Sequence, residues 1–144
     1  MKNRTFRLIA FFLAVFLAGY WAGSSRSTLH AQTGNRIFEL RTYHTYDGKL
    51  DALLARFREH TISIFNKHGM TSIGYWTPTD EPLKGKTLVY LLAFPSREAA
   101  TKDWAEFHDD AEWKRVSAAS EANGKLVEKV DSVFLEPADF SAIR

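Results

Sequence analysis

The chain of 144 residues contains no cysteine. That excludes a disulfide scaffold, a thiolate metal site, a cysteine nucleophile and a lipid-modified cysteine. The first 31 residues contain no Asp or Glu, yet they hold Lys2, Arg4, Arg7 and Arg26. The whole chain has nineteen basic and seventeen acidic residues, so the remainder carries fifteen against seventeen, a net of −2. A domain of that charge has no bulk attraction for nucleic acid, and no nucleic-acid partner is expected. His-x-x-x-His pairs backed by a carboxylate, a Gly-x-Ser-x-Gly elbow and Gly-rich phosphate loops are all missing. No metal site is expected. What the chain does have is 14% aromatic and 45% hydrophobic residues, enough to build a packed core.

From Leu8 to Gly23 no residue is charged. A basic start, an apolar run and a polar stretch ending Leu29-His30-Ala31 have the layout of an export signal. The run is at the short end of what spans a bilayer, so an uncleaved anchor through residues 8–23 is the alternative. Positive charge ahead of the run keeps that end inside. Both readings put the rest outside the cytoplasm, either periplasmic or extracellular, or tethered to the membrane. Residues 1–31 are therefore read as signal or anchor, 32–35 as a linker and 36–141 as one domain.

Within the domain, 36–43 alternates, with Ile37, Glu39, Arg41 and Tyr43 on one face and Phe38, Leu40 and Thr42 on the other. Lys49–Lys67 has helical spacing, with Asp47 a possible cap and Gly69 a left-handed stop. Strands follow at Met70–Thr77 and Thr87–Phe94, the latter apolar enough to be buried on both faces. Ser96 should cap a helix to about His108, and Asp110 a second helix over 111–122 that turns Trp113, Val116 and Ala119 inward. Lys125–Glu136 alternates again. The order β-α-β-β-α-α-β predicts an α+β, ferredoxin-like antiparallel sheet with helices on one face. Apolar side chains on both strand faces call for a second cover. A second copy packed about a two-fold axis, with the sheets facing each other around an enclosed space, supplies one.

Six residues stand out as pocket candidates. Leu53, Phe57, His60 and Ile64 share helical spacing, which puts His60 in the apolar stripe as the one acid/base candidate. Arg41 and Tyr43 share a strand face with Glu39, as an intermolecular salt bridge or as the polar floor of a pocket. Tyr75 and Trp76 are adjacent in a strand, so only one faces the helices. Trp104 is clustered with Phe107, His108 and Trp113.

Several blocks resemble the NIPSNAP family. They are Glu39–Tyr43, Lys67–Met70 with Gly74-Tyr75-Trp76, Thr87–Phe94, Ser96–Ala100 with Trp104, Glu112-Trp113, Gly124–Val127 and Phe134–Ser141. Ala111 departs from the family's usual Pro, which weakens one helix start slightly. The resemblance implies a dimeric α+β barrel. It implies no general catalytic residue set, and the association of animal members with mitochondria and vesicle trafficking does not carry over to an exported chain. Small cofactor-poor monooxygenases and haem-degrading enzymes share that barrel, so haem enters by fold analogy alone and no cofactor is expected. The reading is of a non-catalytic dimeric module that holds a small apolar or amphipathic ligand or a protein partner. The alternative is an oxygenase or isomerase using His60.

Overall fold

The computed structural model describes residues 36–144. The expected signal or anchor segment and linker lie outside the described residues. No helix among the described residues is long and apolar enough to cross a membrane.

Four strands form one antiparallel sheet in the order β2-β3-β1-β4. They are β1 (Ile37–Thr45), β2 (Thr71–Trp76), β3 (Thr87–Phe94) and β4 (Val127–Leu135). Helices α1 (Leu50–Arg56) and α2 (Ile62–Lys67) connect β1 to β2 through a π-helical turn, Phe57–Thr61. Helices α3 (Arg97–Asp109) and α4 (Ala111–Ser120) connect β3 to β4. This is the ferredoxin-like arrangement that the strand and helix patterns predict.

Local chemistry sets the breaks. The Ala99 amide donates to Ser96 Oγ at 3.1 Å, capping α3. The amides of Glu112 and Trp113 donate to Asp110 Oδ1 at 2.7 and 3.1 Å, capping α4. Gly69 at φ +78° ends α2 in the left-handed region that only glycine enters freely. Two expectations fail here. Lys49, not Asp47, stands at the N-cap of α1, with no side-chain cap bond. Helix α4 stops at Ser120 and leaves Ala119 exposed, because only Val116 on it is fully buried and Trp113 is half-buried against Phe107.

The core lies between the inner sheet face and the helices. Leu88, Tyr90, Leu92 and Phe94 of β3 meet Leu53, Phe57, Ile64, Phe65 and Phe107 there. Among the described residues, the outer face is covered only at its two ends. At one end the C-terminal tail folds back over Phe38, and Arg36 Nε donates to the Arg144 carbonyl at 2.8 Å. At the other end the loop 77–86 crosses over Thr87, held by the Thr45 amide donating to the Lys86 carbonyl at 2.9 Å. Between them lies a partly open apolar band of Leu40, Val89, Leu91 and Val133. Strand β3 is thus sealed on the inner face and only half-covered at Val89 and Leu91, short of the two-sided burial its sequence suggests.

Candidate functional site

Glu39 is 1% exposed and fully engaged. Its Oε1 accepts from Arg41 Nη1 at 2.7 Å and from Ser132 Oγ at 2.6 Å, and its Oε2 accepts from Trp104 Nε1 at 2.5 Å. The Glu39–Arg41 pair is therefore intramolecular, which corrects the expectation of a salt bridge between copies. A carboxylate can be buried here because three donors and one positive charge replace its water.

Arg41 lies with its guanidinium 4.2 Å from the centre of the Trp104 ring and 5.6 Å from that of Tyr43. Burial alone would lower the Arg41 pKa. The neighbouring Tyr43 and Tyr90 oxygens and the Glu39 carboxylate outweigh it and hold the value above that of an ordinary arginine. Tyr90 is fully buried, and burial pushes its phenol well up. Its hydroxyl and Arg41 Nε have no hydrogen-bond partner among the described residues. His108 stacks on Trp104 at 5.5 Å, and burial together with the Arg41 charge lowers its pKa, so it is neutral at pH 7.

Tyr90 joins this polar flank to an aromatic one. Tyr43 meets it edge-on at 5.3 Å, and Tyr75 stacks on it at 5.7 Å. The Tyr75 hydroxyl and Ser72 Oγ share a hydrogen bond of 2.6 Å, and burial raises the Tyr75 pKa, so it is a neutral phenol. Beyond Tyr75 lies a cleft of about 390 Å³. Leu54, Phe57, Ile62 and Tyr75 wall it, with Arg58 and Asn66 among its polar groups.

Four of the six candidates thus lie in one continuous patch between the sheet and the helices: Arg41, Tyr43 and Tyr75 from the strands, and Trp104 from α3. Trp76 does not. It points to the outer face, 53% exposed, with its ring so close over Gly74 that a Cβ there would lie 2.6 Å from it. His60 is not in the apolar stripe either. Its side chain is 40% exposed and stands 4.0 Å from Glu59, in a hollow shared with Arg56 and Arg115. The cause is the π-turn. One extra residue in that turn rotates the helix face, so Thr61 takes the inward position, and Thr61 Oγ1 donates to the Arg56 carbonyl at 3.2 Å. Sequence reasoning missed the hub role of Glu39 because two of its three partners, Trp104 and Ser132, lie 65 and 93 residues away. The signal available was the Glu39–Arg41 pair on one strand face, flanked there by Ile37 and Tyr43.

No histidine among the described residues lines the cleft beside Tyr75. His44 bonds Asp131, His68 bonds Asp110, His108 stacks on Trp104 and His60 faces away, so none of these aims into the apolar cleft. Among the described residues no cluster of three or more His, Cys, Asp or Glu could hold a metal ion.

The same fold recurs in solved structures. A NIPSNAP family protein with unknown function from Agrobacterium tumefaciens is 23% identical, with a TM-score of 0.66 over 76% of this chain and 95% of that one. Another NIPSNAP family protein from that organism is 25% identical, with a TM-score of 0.66 over 76% and 99%. A Streptomyces coelicolor monooxygenase, in complex with nanaomycin D, is 17% identical, with a TM-score of 0.53 over 76% and 92%. No curated protein matches the chain. The NIPSNAP family pattern matches residues 38–142, nearly the whole described domain. The chain belongs to the NIPSNAP family.

Proposed function

We propose that the chain is an exported, self-associating module that binds a small amphipathic ligand without transforming it. The observation that carries this reading is the cleft beside Tyr75. Its volume of about 390 Å³ lies within the range of small-molecule sites. Apolar walls from Leu54, Phe57 and Ile62 suit a hydrocarbon body, and Arg58 and Asn66 suit a polar or acidic end. Export rests on the charge layout of the first 31 residues. Self-association rests on the half-open apolar band of the outer sheet face. A catalytic reading has less support, since His60, its acid/base candidate, stands outside this cleft.

Native mass spectrometry of the protein purified from exporting cells tests the proposal. The expected result is a dimer of the chain from Gln32 onward, carrying added mass that leaves on denaturation. Ile62→Trp, which fills the cleft from its wall, should lose that mass and should no longer bind octanoate. A protein with no added mass and no octanoate binding overturns the ligand reading. A monomer overturns the self-association.

A further inference from the structure

A second cleft, of about 510 Å³, lies at the far end of the outer face, under the loop 77–86. Its position is separate from the Tyr75 cleft, on the opposite side of the sheet. His44 of β1, Thr87 of β3 and Lys129 of β4 line it from the sheet, with Glu128 beside them. Lys86 and Leu83 line it from the loop.

The polar groups of this cleft divide into used and unused. His44 Nε2 and Lys129 Nζ both bond the Asp131 carboxylate, at 3.0 and 2.7 Å, so their hydrogen bonds and charge are already directed there. Lys86 and Glu128 have no ion-pair partner among the described residues. Thr87 is fully buried, yet its hydroxyl has no hydrogen-bond partner among the described residues. An orphaned buried hydroxyl costs stability and is rare in folded proteins unless something completes it. A buried hydroxyl without a partner, with the exposed and unpaired Lys86 and Glu128 on the same cleft and Leu83 as an apolar wall, describes the complement of a molecule carrying both charges. A plain anion would leave Glu128 repelling it, and a plain cation would meet Lys86.

We infer that this cleft binds a small zwitterion of the amino-acid type. Its carboxylate pairs with Lys86, its ammonium pairs with Glu128, and its apolar side chain lies against Leu83. The Thr87 hydroxyl completes its hydrogen bonding on the ligand.

Calorimetric titration of the full chain with leucine tests this, alongside isocaproate and isoamylamine, which keep the hydrocarbon and one charge each. Leucine should bind saturably, and each half-ligand at least about tenfold more weakly. Lys86→Gln should reduce leucine to the level of isoamylamine while leaving isoamylamine unchanged. Glu128→Gln should do the converse with isocaproate. Thr87→Val keeps the side-chain shape. It should raise the thermal midpoint of the free protein and weaken leucine about tenfold. A purely structural Thr87 would give the first effect without the second. The inference is overturned by the absence of saturable leucine binding, by isocaproate binding as tightly as leucine, or by a Lys86→Gln variant that binds leucine unchanged. Octanoate binding at the Tyr75 cleft is a separate readout, so failure of either site is visible without the other.

Discussion

Glu39 gathers donors from β1, α3 and β4 onto one buried carboxylate. Removing its charge leaves Arg41 half-enclosed without its counter-ion and leaves Trp104 Nε1 with a weaker acceptor. Breaking one side of a buried pair costs about 3 kcal/mol. Glu39→Gln should therefore lower the unfolding free energy by roughly that amount, read from urea denaturation midpoints. A change under about 0.5 kcal/mol would show that the pair contributes nothing net. Asp110 is the other polar centre. Bonds from Lys67 and His68 and the α4 amides hold its carboxyl well below the usual carboxylate range. Its unfolded form therefore binds a proton more readily than its folded form, so stability rises with pH through that window. The contribution is full above the ordinary carboxylate value of about 3.9 and fades as pH falls towards the lower folded value. Asp109, Asp131 and Glu98 are shifted the same way and share the slope. Asp110→Asn should flatten, but not abolish, the acid fall of the thermal midpoint.

At the scale of elements, the segment 50–67 shows what sequence periodicity can and cannot reveal. Strand alternation places β1 and β4 to within two residues at each end, but the bulge opposite His44 and Thr45 shifts the register of β4 and turns Val127 to the inner face, away from Val133 and Leu135 with which simple alternation groups it. The helix was equally visible, but its π-turn was not. Phe57, His60 and Ile64 are spaced by three and four and fit an α-helical stripe, whereas Phe57 and Phe65, eight apart, would stand about 80° apart on a regular α-helix. Only the packed sheet decides between them. Phe57 and Phe65 meet each other at 6.0 Å and both meet Tyr90, which requires the extra residue in the turn. Deleting His60 should convert the π-turn to an α-turn and keep Phe65 in phase. Such a variant should fold, retain its helical circular dichroism and unfold in a single transition. Loss of cooperative unfolding would show that the turn itself is needed. The candidate patch was legible to the same degree. Arg41 and Tyr43 can be named from face, Trp104 from its aromatic cluster, and Tyr75 only as one of the adjacent pair Tyr75–Trp76, whereas the clefts under the helix and under the loop 77–86 depend on chain crossings that no local pattern encodes.

On the scale of the whole molecule, the outer sheet face is the least covered apolar surface of the described residues, and the proposed self-association would use it. Val133 is 53% exposed in the second half of β4, and Leu135 follows on the same face at its end. A valine so placed contributes little within one copy. If the proposed self-association uses this face, Val133→Asp should leave the far-UV spectrum and the Tyr75–Tyr90 core intact, yet sediment as a monomer where the unsubstituted chain sediments as a dimer. A Val133→Asp protein that stays dimeric would place the contact elsewhere.

The hydrogen bond from Arg36 to the Arg144 carbonyl has a topological meaning as well as a local one. It brings the first and last described residues of the domain to one corner, so the path of the chain closes nearly into a ring. In such a ring the order of the elements is set by where the chain is cut, and the strand pairings do not depend on that choice. The connection across residues 77–86 is the other natural cut. A chain opened there and joined across the Arg36 corner would run β3-α3-α4-β4-β1-α1-α2-β2, with every sheet neighbour unchanged.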